Sequence, residues 1–188
     1  MGGSLRSSVL FVYWLVGFSN LLAQVMITPA DGLITGEAAS ILHKFQVVVQ
    51  DFALEISPAT SPQRWQLVAT LPVAGITTGL GLRDKQMHRK VFLQGKSDTV
   101  RYTGQTVGNF VPGSHQVDGR LTINDQTHPQ PLTVHVQASA DSLTLWGQFA
   151  ISLQDYGIHI GIVKDTLHMA FRFTLPRSRL IGFDSGDR

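Results

Sequence analysis

The chain has 188 residues, enough for one domain with a core of its own. Apolar residues make up 43% and charged residues 15%, with 15 Lys and Arg against 13 Asp and Glu, a balance that makes no electrostatic case for nucleic acid and sets the chain apart from disordered polyelectrolytes. Cysteine is absent, which excludes disulfides, thiolate chemistry and cysteine-based zinc sites.

The first 25 residues read "MGGSLRSSVLFVYWLVGFSNLLAQV". Arg6 precedes an apolar run from Val9 to Phe18, then Ser19, Asn20 and Ala23, the order of a secretory signal. The run is shorter than the about 20 apolar residues that span a bilayer. Residues 1–23 are therefore expected to be a signal peptide cut after Ala23, leaving an exported chain, periplasmic or secreted, without a transmembrane span.

From about residue 33 the apolar pattern repeats every two residues, the period of strands. "KFQVVVQDFALEI" alternates through Phe45, Val47 and Val49, then resumes one residue out of phase at Phe52, Leu54 and Ile56. A bulge or bend is expected between Val49 and Phe52. "RWQLVATLPV" places Trp65, Leu67, Ala69, Leu71 and Val73 on one side. Next, "GLGLRDKQMHRKVF" breaks the pattern. Leu80, Met87 and Val91 fall on one helical face, with Asp84 early and Arg89 and Lys90 late, as a helix dipole favours. A short helix is expected from about Leu82 to Val91.

Alternation returns in "TVRYTGQTV", with Val100 and Tyr102 inward. "VDGRLTINDQTHPQPLTVHV" alternates on both sides of a turn at Asn124-Asp125, with Val117, Gly119, Leu121 and Ile123 in one phase. "SLTLWGQFAISLQ" and "TLHMAFRFTL" follow. They set Leu143, Leu145, Gly147, Phe149 and Ile151, then Leu167, Met169, Phe171, Phe173 and Leu175, against a polar opposite face. Strands that alternate this cleanly are antiparallel, dry on one face and wet on the other, and in this number they form a sandwich or a barrel. The end of the chain from Arg177 has no period and is expected to be a loose tail over 177–188.

Three of these segments resemble the YceI-like family. "LVATLPVAGITTGLGLRDKQMHRKVF" is similar to its strand, TG turn and RD-containing helix. "HQVDGRLTINDQTHPQPLTVHV" resembles its VxGxLTIxGxTxPVxLxV hairpin, with Asp125 where Gly is usual. "LTLWGQFAISLQDYGI" resembles the next strand, down to the Gly157-Ile158 ending. Together they cover roughly residues 64–176. "ILHKF" and "FLQGKSDTVRY" depart from the family pattern, the second by lacking its proline. The resemblance implies an all-β, antiparallel, eight-stranded lipocalin-like barrel with one short helix over residues 33–176. It also implies export, and a polyisoprenoid or other long apolar chain held inside.

Sites for chemistry are sparse. The seven histidines show neither the i, i+4 helical spacing nor the i, i+2 strand spacing of metal ligands, so no metal is expected. There is no G-x-S-x-G elbow or phosphate loop, and no catalytic residue or cofactor is assigned. What stands out is the inward stripe. An eight-stranded barrel is just wide enough to be filled by side chains or to hold one slender ligand. Gly119, Gly147 and Ala69 in the inward phase either leave volume free or allow the sheet to coil.

Strand phase and family likeness together make Trp65, Leu67, Leu71, Tyr102, Leu121, Leu145, Phe149, Ile151, Met169, Phe171 and Phe173 the candidate lining for a long-chain lipid or isoprenoid. Arg83, beside Asp84, would meet a head group or pin the helix to the sheet. The rival readings are a filled barrel serving as an envelope interaction module through Trp146 and Val68, with a dimer left open, and an isoprenoid-modifying enzyme.

Overall fold

A computed structural model describes residues 24–40, 43–59, 64–92, 97–106 and 111–180. The expected signal segment and residues 181–188 lie outside them. Twelve strands form one antiparallel sheet. They are β1 (Val25–Ile27), β2 (Gly32–Ala39), β3 (Lys44–Val49), β4 (Ala53–Pro58), β5 (Trp65–Pro72), β6 (Ile76–Thr77), β7 (Thr99–Thr106), β8 (Gly113–Ile123), β9 (Gln126–Pro129), β10 (Leu132–Ala138), β11 (Ser142–Ser152) and β12 (Thr166–Pro176). The helix, α1, runs Gly81–Lys90, within a residue of its expected place. Regular structure thus starts at Val25, ahead of the expected start at 33.

The hydrogen-bonded path is β1-β4-β5-β7-β8-β10-β11-β12-β2-β3-β6, with β9 paired to β8. Its two ends, β1 and β6, share no ladder, so the sheet is a curled half-barrel and not the closed eight-stranded barrel expected. The chain itself draws the ends together. Three residues connect β3 to β4, and three connect β5 to β6, although each pair lies at opposite ends of the path. The phase shift between Val49 and Phe52 is therefore no bulge within a strand. It marks the first of these crossings, where the chain leaves one end of the sheet and starts again at the other. Gln50 N–H donates to the Gly75 carbonyl at 2.7 Å, tying the first crossing to the second. A Cβ at Gly75 would fall 2.7 Å from the Asp51 Cβ, so the close approach of the two segments requires glycine there.

The Asn124-Asp125 turn joins Ile123 to Gln126 as a two-residue loop, with φ of 53° and 63°. Both residues are left-handed, the type I′ geometry whose twist matches the flanking strands. The Asn124 side chain donates to the Val91 carbonyl at 2.7 Å and so fastens this turn to the end of α1. After it, Pro131 separates β9 from β10, because proline cannot donate to the ladder. The expected loose tail is ordered at its start. Arg177–Arg179 makes a 3₁₀ turn, Leu180 is buried, and Arg179 bonds the Asp31 carboxylate and the Met26 carbonyl.

The interior divides along the strand axis. At one end Ile27, Val117, Leu175 and Thr106 are almost wholly inaccessible, and Trp65 closes over them with its backbone N–H on the Thr106 hydroxyl at 3.0 Å. Removing each such aliphatic side chain from water contributes about 1.5–3 kcal/mol. The other end is hollow.

Candidate functional site

The hollow has a volume of about 1030 Å³. That reaches the upper end of the roughly 300–1,000 Å³ typical of ligand pockets. Successive positions along its wall come from ten strands, and register explains why. Leu145 is opposite Phe173 and Phe149 opposite Met169 across β11 and β12, while Tyr102 is opposite Leu121 across β7 and β8. Residues of one phase on neighbouring antiparallel strands stack on one face, here the concave one. Leu67, Leu71, Arg83, Tyr102, Leu121, Leu145, Phe149, Ile151, Met169, Phe171 and Phe173 all line this one cavity. Trp65 is the exception. It is buried in the filled end and does not reach the hollow, because it begins β5 beside the end of β7.

Of the two readings of the inward glycines, free volume and coiling of the sheet, the contacts fit the second. A Cβ on Gly119 would stand 1.9 Å from the Tyr102 hydroxyl, and one on Gly147 would stand 2.6 Å from the Phe171 ring. Gly36 is covered in the same way by the Met169 sulfur, 2.6 Å from where its Cβ would be. Large side chains from the adjacent strand lie flat across the glycines, an aromatic rescue that lets the wall curve. The volume comes instead from the curl of the sheet, whose radius exceeds what the side chains can fill.

Apart from the Tyr102 hydroxyl, the polar part of the wall lies at one end. Ser40 and His43 flank the β2–β3 connection, Thr78 begins the TG turn, and Arg83, Gln86 and Lys90 belong to α1. The helix lies across this mouth with Met87 and Val91 toward the cavity. It is held there by Asp84, whose carboxylate accepts from the Thr77 hydroxyl at 2.6 Å and from the Thr78 N–H at 2.7 Å. Burial works to raise the pKa of Asp84. The hydrogen bonds from Thr77 and Thr78 outweigh it, and the group sits below the usual aspartate value. Arg83 donates from Nε to the Thr78 hydroxyl and from a terminal nitrogen to the Thr78 carbonyl, both at 2.8 Å, and its guanidinium lies 4.5 Å over the Phe45 ring. Of the two roles considered for Arg83-Asp84, these contacts describe the pin between helix and sheet.

Tyr102 is the deepest polar group on the wall. Its hydroxyl is buried without a hydrogen-bond partner among the described residues. Burial raises its pKa, with the charge of Asp118 adding to the effect. The phenol therefore stays neutral, and the ring acts as an apolar wall element. On the outer face Trp146 stacks on His135 at 5.2 Å, and the His135 Nδ1 pairs with the Ser114 hydroxyl at 2.8 Å. Among the described residues no group of three potential ligands could hold a metal ion.

Several wall residues were not singled out in the sequence. Ala38, Phe45 and Val47 have the inward phase of β2 and β3 and were readable on that basis. Ile160, Ile162 and Val163 come from the irregular segment before β12, where no period exists to read.

Fold and site together define a class: an antiparallel half-barrel around an apolar hollow, with a short helix across its open end. Within that class the chain belongs to the YceI-like family, whose YceI-like domain matches residues 26–175. No curated protein shows a significant sequence match. Among solved structures, a polyisoprenoid-binding domain from Saccharophagus degradans implicated in plant cell wall breakdown aligns with a TM-score of 0.66 at 16% identity, over 81% of this chain and 97% of that one. BcnA of Burkholderia cenocepacia aligns at 0.64 and 17% identity, over 77% and 96%. A YceI protein of Campylobacter jejuni aligns at 0.59 and 15% identity, over 69% and 83%. At these identities the likeness establishes a common fold.

Proposed function

We propose that this chain is an exported carrier that holds a long apolar lipid or isoprenoid chain, non-covalently, inside the half-barrel. The observation that carries this reading is the hollow itself: about 1030 Å³, apolar apart from the Tyr102 hydroxyl up to the level of α1, and otherwise polar at the mouth. Each methylene moved from water into such a space contributes about 0.8 kcal/mol, so a chain of some twenty carbons is held firmly after losing its rotational freedom. The polar mouth suits the one end of a lipid that prefers water. The family match and the Saccharophagus domain described as polyisoprenoid-binding support a ligand of this class. The role is one of binding and assigns no catalytic group. Export rests on the N-terminal order of Arg6, apolar run and Ala23.

The test is solvent extraction of the purified protein followed by mass spectrometry, in the wild type and in Ala69→Phe. Ala69 lines the cavity, and the larger ring would occupy it. One lipid per chain in the wild type, and much less in the variant at similar melting temperature, is the expected result. Wild-type protein that yields no stoichiometric lipid would end the proposal. For export, N-terminal sequencing of the mature protein should begin at Gln24, and recovery of an intact N-terminus from the cytoplasm would contradict it.

The filled-barrel alternative describes the Trp65 end of the molecule but not the mouth end, which is empty of side chains over the volume given above. Trp146 is engaged with His135 on the outer face, which weakens its case as a free partner surface.

A further inference from the structure

The mouth presents apolar and cationic side chains outward as well as inward. Leu82 is 75% exposed, Ile162 65% and Leu80 58%. Leu80 enters α1 and Ile162 lies in the segment before β12, yet both line the cavity, so two elements distant in the chain bring exposed apolar side chains to it. Leu82, Lys85 and Arg89 follow one another at three and four residues on α1. They share a face, are all exposed, and do not line the cavity. Lys90 adds a further exposed cation at the cavity edge.

Two of the acidic groups nearby, Asp84 and Asp165, are already engaged. Asp84 is held by Thr77 and Thr78, and Asp165 accepts from the Ser152 hydroxyl and the Gln154 N–H. Lys85, Arg89 and Lys90 form no ion pair with any described residue. The closed end differs: there Arg179 pairs with Asp31, and Arg177 donates to the Ser139 carbonyl. Exposed aliphatic groups beside unpaired cations, around the opening of an apolar cavity, are the composition of a surface that lies in a lipid interface.

We infer that the mouth rim docks on an anionic phospholipid bilayer. Leu80, Leu82 and Ile162 enter the boundary between head groups and acyl chains, and Lys85, Arg89 and Lys90 lie over the lipid phosphates. Docked this way, the opening faces the bilayer, and an apolar chain passes between membrane and cavity without crossing water. That last step rests on the carrier reading; the docking itself does not. Among the described residues no helix is long and apolar enough to cross a membrane, so the contact is peripheral. Each cation at an anionic surface strengthens binding by about fivefold, an effect that salt screens.

The experiment is flotation of the full chain with two kinds of vesicle, phosphatidylcholine alone and an equal mixture of phosphatidylcholine and phosphatidylglycerol. Binding to the anionic vesicles, much weaker binding to the neutral ones, and loss of binding at about 1 M salt are expected. Lys85→Gln with Arg89→Gln should weaken anionic binding by roughly 25-fold at unchanged melting temperature. Leu82→Ser should weaken it as well. Equal binding to both vesicles overturns the inference. So does binding unchanged in the double variant, as when the N-terminal apolar run carries it, or a Leu82→Ser effect confined to self-association in sedimentation velocity. Failure of the carrier reading is seen separately, as absence of extractable lipid from wild-type protein.

Discussion

The two ends of this half-barrel are built from the same strands and the same alternation, yet one is solid and the other hollow. At the solid end Trp65, Val117, Ile27 and Leu175 converge, β1 and the Arg177–Arg179 turn close over them, and Arg177 and Arg179 have partners. At the hollow end Leu71, Ile123, Phe149 and Leu167 line open space, with one helix over it, and Lys85, Arg89 and Lys90 outside make no ion pair with a described residue. Alternation decides which face is apolar. Whether that face meets another one depends on how many elements are brought to the same level along the axis.

If this contrast is right, equal truncations should not weigh equally. Leu175→Ala should destabilise the protein by about 3–4 kcal/mol in chemical denaturation, since it opens a void in close packing. Phe149→Ala, on the cavity wall, should cost only about 1–2 kcal/mol, below the usual value for a large aromatic, because one side of that ring already faces empty space. Similar losses at both positions would mean that the hollow is packed in solution. Removing a bound lipid by extraction should in turn lower stability by about 2.7 kcal/mol if the lipid is normally present at a hundred times its dissociation constant. The loss should be recovered on adding lipid back, and Leu175→Ala should leave its size unchanged.

The glycines test the curvature that creates the hollow. Gly147→Ala should destabilise by about 2 kcal/mol, because its methyl group would fall 2.5 Å from the Thr133 carbonyl oxygen, a backbone atom, as well as on Phe171. Acid should separate the ends by a local route. The folded pKa of Asp84 is held below its unfolded value, so the stability it contributes is full above about pH 4 and is lost as the pH falls through the folded value. Amide exchange in Gly81–Lys90 should therefore quicken below about pH 4, and Asp84→Asn should show that loosening already at neutral pH. The smallest effect is expected at the turn. Asp125→Gly should stabilise by up to ~1 kcal/mol in thermal denaturation, since φ of 63° suits glycine better than aspartate.

Much of this was legible in the residues. The strand phases identified the concave face, because side chains alternate strictly across a sheet, and the helix showed in its break of period at residues 80–91. The partial misreadings share one cause. Trp65 has the inward phase, but height along the axis is set by register with β7, which its own strand does not encode. Whether Gly119 and Gly147 leave volume free or let the sheet coil is not encoded locally, because the rings that cover them, Tyr102 and Phe171, belong to other strands. The jump in phase at Gln50–Phe52 looked like a bulge, because a local pattern cannot tell a kink within a strand from a crossing between distant ones.

From residue order came the antiparallel all-β class, the apolar face, the helix with its acidic start and basic end, and the family. Those follow from covalent geometry, since periods of 2 and 3.6 residues are properties of a short stretch of chain. The open sheet, the plugged and hollow ends, and the placing of Leu80 and Ile162 on one rim required the fold. Such features depend on pairings between residues far apart in the chain, and only register and curvature bring those to a common level.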